Sequence, residues 1–361
     1  MSEDAHGGEL HQTKTVGIEP QTNKPVKVEK VLKSLTEYKR DNVEINGLPI
    51  IQDLGEGSAA ITFLSYLPDG QSVVVKVGRS PVAETSQQFL EADSLLQKLS
   101  TVTPFVPREH GSGRVTINGY ERPYYVMDFV DGRTLAEGIK AGDMDLQRKF
   151  SVLRGIGYGL DDMLQEGLMP GDLKPENIML RRGTNVPVHI DLEHMNKVGE
   201  PFHKEFFTPH YSGPDRFFPR RELGPGAITW SYTAIAYEML TGKSIFNTHS
   251  NDTAIYFYNN ENAYNKYLQN ELQNSDLPVE AQQIFLRGFS YNPEERFQTN
   301  SEIARALQDV YIPNARKTKR QQPRRAASEH EKVHKDSRGP GRIKSLLSRP
   351  GVRTERTKTP V

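Results

Sequence analysis

Asp172, Lys174 and Asn177 fall within one short stretch, Gly171–Asn177, "GDLKPEN", and Asp191 follows nineteen residues after the first of them. An Asp can orient a hydroxyl nucleophile and take its proton. A Lys beside it can neutralise a phosphate as charge moves onto it. An Asn oxygen can join a carboxylate in holding Mg²⁺. Asp191 ends the strand-like Val186–Asp191, "VPVHID", and an acid at a strand's end after a short hairpin is well placed as the main Mg²⁺ ligand. Taken singly, each acid also reads as a turn residue or a helix cap.

A second group lies upstream. Leu54–Phe63, "LGEGSAAITF", is a Gly-rich turn between two apolar runs, where Gly55 and Gly57 let backbone N–H groups approach phosphate oxygens. Lys76 sits inside the apolar "VVVKVG", at the interval needed to cross one hairpin and reach under that turn. Glu91, on the next helical stretch, is its expected partner, holding the ammonium towards the phosphates. Alone, the Gly pair is an ordinary hairpin and Lys76 an edge-strand residue facing water. Lys76, Glu91, Asp172, Lys174, Asn177 and Asp191 in this order and spacing point instead to phosphoryl transfer.

The elements that must carry these residues follow from periodicity. "LPIIQDLGEG", "AITFLSYLPDG" and "QSVVVKVG" read as strands, as do "RVTI" and "YYVMDFV". "AETSQQFLEADSLLQKLS" has Phe89, Leu90, Leu95, Leu96 and Leu99 at helical spacing. Beyond it the pattern turns largely helical, with helices expected at Asp145–Gly167, Ile228–Thr241, Ala254–Leu272, Val279–Phe289 and Ser301–Tyr311. The expected fold class is therefore α+β, a β-rich lobe followed by an α-rich lobe.

The chain has 361 residues, no Cys and a formal net charge of +0. Without Cys there is no disulfide framework, thiolate nucleophile or Cys-ligated zinc. No signal peptide or membrane-spanning run is visible, so the expected location is cytoplasmic. The zero net charge hides an asymmetry. Residues 312–361 carry fifteen Lys and Arg against four Asp and Glu, so an acidic body carries a basic tail. Composition divides the chain into a disordered segment 1–45, a patterned domain 46–312 (lobes 46–130 and 131–312) and a disordered basic tail 313–361. The tail reads as a solvated end or as a docking arm for an acidic partner or its own body. It has no aromatic residues between its charges, which argues against nucleic acid.

From about Ile50 to Tyr311 the chain resembles the eukaryotic-type Ser/Thr protein kinase family. "DLKPEN" is the strongest match, and its Lys favours Ser/Thr-type chemistry. "LGEGSAA", "VVVKV", "FLEADSLL", "YYVMDFVDGRTL", "FFTPHYSGPD", "ITWSYTAIAYEMLTGK" and "NPEERFQT" resemble its other motifs. The resemblance implies a bilobal protein-kinase-like fold, ATP and Mg²⁺ as cofactors, and a protein Ser/Thr hydroxyl as acceptor. It implies Asp172 and Lys174 as catalytic residues and Asn177 and Asp191 as metal ligands. Nucleotide contacts would come from Leu54, Gly55, Glu56, Gly57, Ser58, Thr62, Lys76 and Glu91. Met127 would be the gatekeeper, with Asp128 and Val130 along the adenine edge. Arg296 is expected to pair with Asp215.

The departures from the family pattern lie around the loop. Pro170-Gly171 replaces His-Arg, "DLE" (Asp191–Glu193) replaces Asp-Phe-Gly, and Ile228 replaces the Asp that braces the loop from the central helix. Ala60 stands for the third Gly of the turn and Asp215 for a Glu. The missing Arg is the family's receiver of an activation-loop phosphate, so a phosphate on Thr208 or its neighbours would lack that partner. Glu193 would either strain a backbone position suited to Gly or add a third acid near the metals. Three readings stay open: a Ser/Thr protein kinase without phosphorylation-dependent activation, a pseudokinase that binds nucleotide or a partner, and a small-molecule kinase of the aminoglycoside-phosphotransferase type.

Overall fold

The computed structural model describes residues 44–57, 60–82, 87–117, 119–192, 195–200, 208–217, 224–246 and 256–313. The expectations for the N-terminal segment up to residue 43, for Ser58, for Glu193 and for the tail beyond Pro313 lie outside the described residues.

The N-terminal region is built on a five-stranded antiparallel sheet. Its strands are β3 (Gln52–Glu56), β4 (Ala60–Tyr66), β5 (Ser72–Gly78), β6 (Glu109–Ile117) and β7 (Tyr120–Asp128), in the order β3-β4-β5-β7-β6. A hairpin of β1 (Glu44–Ile45) and β2 (Leu48–Pro49) precedes it, turning at Asn46 and Gly47 with φ of 50° and 82°. Asn-Gly favours such a turn because both residues tolerate positive φ. Helix α1 (Gln87–Val102) follows β5.

The period-2 alternation of β5 decides where Lys76 points. Val73, Val75 and Val77 enter a cluster with Ile61, Phe63 and Val126 on one sheet face. Val74 joins the opposite cluster, with Tyr125, Met127 and the α1 residues Phe89, Ala92 and Leu96. Lys76 shares the face of Val74. Because β5 is flanked by β4 and β7, it is not an edge strand, and the solvent-facing alternative for Lys76 fails. β6 begins at Glu109, five residues ahead of "RVTI".

The C-terminal region is helical. It contains α2 (Leu135–Ala141), α3 (Leu146–Gln165), α4 (Pro225–Thr241), α5 (Glu261–Gln273), α6 (Val279–Gly288) and α7 (Asn300–Tyr311). α4 is buried on all sides from Ala227 to Tyr237. Its buried Thr hydroxyls find acceptors within the helix: Thr229 donates to the Pro225 carbonyl at 3.1 Å and Thr233 to that of Thr229 at 2.7 Å. Trp230 packs against Phe246, Tyr258 and Phe289, and its indole N–H donates to the Tyr264 hydroxyl at 2.8 Å. Asp161 on α3 caps α7, accepting from the backbone of Asn300 at 2.8 Å and Ser301 at 3.0 Å. The helix expected over Ala254–Leu272 is interrupted. Asn260 caps a new helix there, its side chain accepting from the Ala263 N–H, and periodicity alone did not show this break.

Five short strands, unforeseen apart from the "VPVHID" stretch, connect these helices. They are β8 (Gly132–Thr134), β9 (Leu168–Pro170), β10 (Ile178–Arg181), β11 (Pro187–His189) and β12 (Met195–Lys197). β10 lies between β11 and β8, and β9 pairs with β12. At Gly132 a Cβ would stand 1.9 Å from the Leu180 carbonyl oxygen, so only Gly lets β8 approach β10 this closely.

Candidate active site

Two antiparallel ladders hold two loops side by side. Residues 171–177 run from the end of β9 to the start of β10, and residues 190–192 leave the end of β11. Ile178 is in register with His189 and Pro170 with Met195, so both ends of both loops are tied. The Ile190 N–H donates to the Asn177 carbonyl at 3.0 Å, which brings Asn177 beside the residue preceding Asp191.

Within the first loop, the Lys174 ammonium lies 2.5 Å from one oxygen of Asp172. Thr208 donates its hydroxyl to the other oxygen at 2.7 Å and also accepts from Lys174 at 3.4 Å. The Asn177 amide nitrogen donates to the Asp172 backbone carbonyl at 2.9 Å, leaving the amide oxygen for another partner. The carboxylate of Asp172 is thus fixed at both oxygens while retaining some solvent access. Such a group can orient a hydroxyl and accept its proton.

Lys76 reaches Asp191 across the cleft between sheet and loop, Nζ to Oδ1 at 3.9 Å. Across the sheet, Thr62 is in register with both Gly55 and Lys76, and Lys76 with Tyr125, whose ring centroid lies 6.0 Å from the ammonium. The expected sites Gly55, Thr62, Lys76 and Asp191 therefore lie on one path. Glu91 sits on an exposed position of α1. At Gly55 φ is +135°, a value that favours Gly, and a Cβ there would meet nothing within 4 Å. The Gly57 N–H donates to the Ala60 carbonyl at 2.8 Å, closing the turn. Leu54 is exposed beside it. The Glu56 side chain is held by Arg79 at 2.5 Å, pinning the end of β3 to the residue after β5.

Met127 and Val130 are buried where the two regions join. The Asp128 side chain is engaged by His110 at 2.7 Å, Gln71 at 2.9 Å and the Arg108 N–H at 3.3 Å. Its carboxylate thus ties β7 to β6 and to the turn before β5, and its N–H donates to the Arg108 carbonyl at 2.9 Å.

The donor set suits Mg²⁺. Asn177 and Asp191 offer an amide oxygen and a carboxylate, the hard ligands that ion prefers. No cluster of three or more His, Cys, Asp or Glu that could cage a metal occurs among the described residues.

Two residues that motif reasoning did not place in the site belong to it. Thr208, expected only as a candidate position for an activation-segment phosphate, has its hydroxyl committed to Asp172 and Lys174. Arg216 lies beneath the loop, buried, donating to the carbonyls of Gly171 and, at 3.3 Å, Pro170. Burial pushes the Arg216 guanidinium down to about 10, opposed by the nearby carboxylates of Asp215 and Asp172, so it stays charged at neutral pH. The only available signal was a charged residue directly before the apolar "FF". Asp215 pairs with Arg296 at 2.9 Å, as expected, and both are fully buried. Arg296 also donates to the carbonyls of Ser290 and Gly226, each at 2.7 Å.

The protein kinase domain family matches residues 48–312. The chain belongs to that family. Among curated relatives it is similar to the serine/threonine-protein kinase PknB of Mycobacterium tuberculosis, 24% identical over 248 residues, covering 67% of this chain and 39% of the relative. It is also similar to the protein kinase YpkA of Yersinia pseudotuberculosis, 28% identical over 184 residues, covering 48% of this chain and 24% of the relative. The chain thus spans well under half the length of the curated relatives it matches. The sheet-rich N-terminal and helical C-terminal regions are those of a kinase domain, as the resemblance implied. No helix among the described residues is long and apolar enough to cross a membrane.

Proposed function

We propose that the chain is an ATP- and Mg²⁺-dependent Ser/Thr protein kinase of the cytoplasm that needs no phosphate on its activation segment. The observation that carries this reading is the three-way contact of Lys174, Asp172 and Thr208 at the end of a cleft reached by Lys76. Asp172 orients the acceptor hydroxyl and takes its proton as the oxygen bonds to the γ-phosphorus and the bond to the β-phosphate oxygen breaks. Lys174 offsets charge on the transferred group, and Lys76 positions the α- and β-phosphates. Asn177 and Asp191 would hold Mg²⁺, which when bound neutralises the phosphate oxygens. Leu54 to Gly57 and Thr62 would bind the phosphates, with Met127 as gatekeeper and Asp128 and Val130 along the adenine edge. Glu91 would pair with Lys76 and hold its ammonium towards those phosphates.

A protein acceptor is supported over a small molecule by the family match and by the buried Asp215–Arg296 pair, which anchors the "SGPD" turn in front of the loop. The tail carries "RRAAS", with Arg324 and Arg325 four and three residues before Ser328, the spacing that basophilic kinases read. Ser328, or Ser345 and Ser348, is a cis substrate in this reading, and phosphate there weakens attraction of the tail to an acidic partner or to its own body. Mass spectrometry after incubation with ATP–Mg²⁺ checks this, and an unmodified tail in an active preparation would rule it out.

The deciding experiment is radiolabel transfer from ATP to a generic basic protein, with Asp172→Asn as control. Transfer that vanishes in the control supports the kinase. Nucleotide binding without transfer by the natural chain would establish the pseudokinase instead.

A further inference from the structure

The restraint that the β9–β12 ladder gives the chain ends at Pro170, one residue short of the loop that carries Asp172. Gly171 has the widest backbone freedom of any residue, and it sits directly between Pro170 and the Asp. Ile228, at the position where the family carries a bracing Asp, has no polar side-chain group. The carbonyls of Pro170 and Gly171 are instead gripped by one side chain. Arg216 spreads its two terminal nitrogens over them, one donor to each. A planar guanidinium bound at two points fixes orientation as well as distance, which a single ammonium does not.

Arg216 is itself well anchored. It lies in the 3₁₀ turn Pro214–Phe217, whose Asp215 is locked to Arg296. It is 2% exposed, and the carboxylates of Asp215 and Asp172 both act on it. Asp172 thus has Lys174 on its open side and a second cation beneath its loop.

We propose that Arg216 is a positioning residue, setting the backbone that presents Asp172 and supplying from below the cation that the loop lacks at Gly171. This rests on the kinase reading and deepens it, naming what replaces the missing loop Arg. Being sealed, this cation serves at all times and is not available to a phosphate.

The test uses the full chain with Arg216→Lys and Arg216→Met. The rate constant for transfer, the ATP affinity, the melting temperature and amide exchange across residues 168–180 are measured together. Misplacing a catalytic group by an ångström costs about 100-fold, so Arg216→Met is expected to lower kcat by about that factor and Arg216→Lys by about tenfold. ATP affinity should stay within about twofold, because Lys76 and the Gly-rich turn are untouched. Exchange should rise in 171–177 while the interior of α4 keeps its protection. Unchanged kcat and unchanged loop exchange in Arg216→Lys would overturn the proposal. So would a uniform loss of protection and of ATP binding, which marks a core residue with no role particular to the loop. If Arg216→Met does not fold, the Lys variant decides by the same criteria. If the natural chain transfers no phosphate, the kinase reading falls while loop exchange still decides what Arg216 holds.

Discussion

Thr208 donates its hydroxyl hydrogen to the Asp172 oxygen that Lys174 does not hold, at 2.7 Å, from thirty-six residues away in the chain. The activation segment is thereby fastened to the centre of the site by a neutral side chain. Removing that hydroxyl with Thr208→Val should lower kcat by roughly 10- to 100-fold, since one oxygen of Asp172 loses its restraint. Thr208→Ser keeps the hydroxyl and should stay within about threefold of the natural rate. Steady-state transfer to a peptide checks both, and a Val variant at full speed would show the contact to be incidental.

The Lys76–Asp191 approach at 3.9 Å predicts a common fate for two distant positions. Lys76→Met and Asp191→Ala should each reduce transfer by about 1000-fold or more, because positioning and charge neutralisation supply nearly all of this catalysis. The two should part in a binding assay. Asp191→Ala should lose the Mg²⁺ dependence of nucleotide affinity, whereas Lys76→Met should keep it. Full transfer in both variants would mean that the path from Gly55 to Asp191 has been misread.

Control by phosphate is expected to be absent. Gly171 offers no side chain to receive one, and Arg216 is sealed beneath the loop. Protein made without an upstream kinase should be as active as autophosphorylated protein. A loss of about tenfold or more after phosphatase treatment would show that another cation receives a phosphate.

The buried phenols predict an alkaline limit to stability. Burial raises the pKa of Tyr232, Tyr258 and Tyr264, and moves Tyr237 up to about 12. Tyr232 donates to the Leu153 carbonyl, Tyr258 to Pro209 and Tyr264 to Phe289. The folded chain therefore keeps protons that the unfolded chain releases near pH 10. The stability they contribute is fully present below pH 10 and is lost as pH rises past it. Phenolate absorbance should show these rings ionising only together with unfolding. Their smooth titration in the folded state would contradict their burial.

The motifs carried much of this site because local chemistry fixes them. Gly55 needs its backbone freedom, and the Asp172–Asn177 stretch is one continuous loop, so neither depends on distant partners. The direction of Lys76 was harder. Whether β5 is central or at an edge depends on β7, some fifty residues later in the chain. The start of β6 was hidden because Glu109–Gly113 is polar and Gly-rich, yet pairs along its length with the apolar β7. The Asn46–Gly47 turn is legible, because Asn-Gly is a strong local hairpin signal. Arg216 was not legible, because its partners lie forty-five residues upstream and no periodicity records a carbonyl waiting for a donor.

Trp230 is the chain's sole tryptophan, and it is enclosed by Phe246, Tyr258 and Phe289 in the helical region. Light absorbed by indole alone therefore reports on one half of the kinase domain and is blind to the sheet that carries Lys76. Circular dichroism sees both halves. Traces from the two methods that coincide on heating would mark the domain as one cooperative unit, and traces that separate would give each region its own melting point without any engineered label.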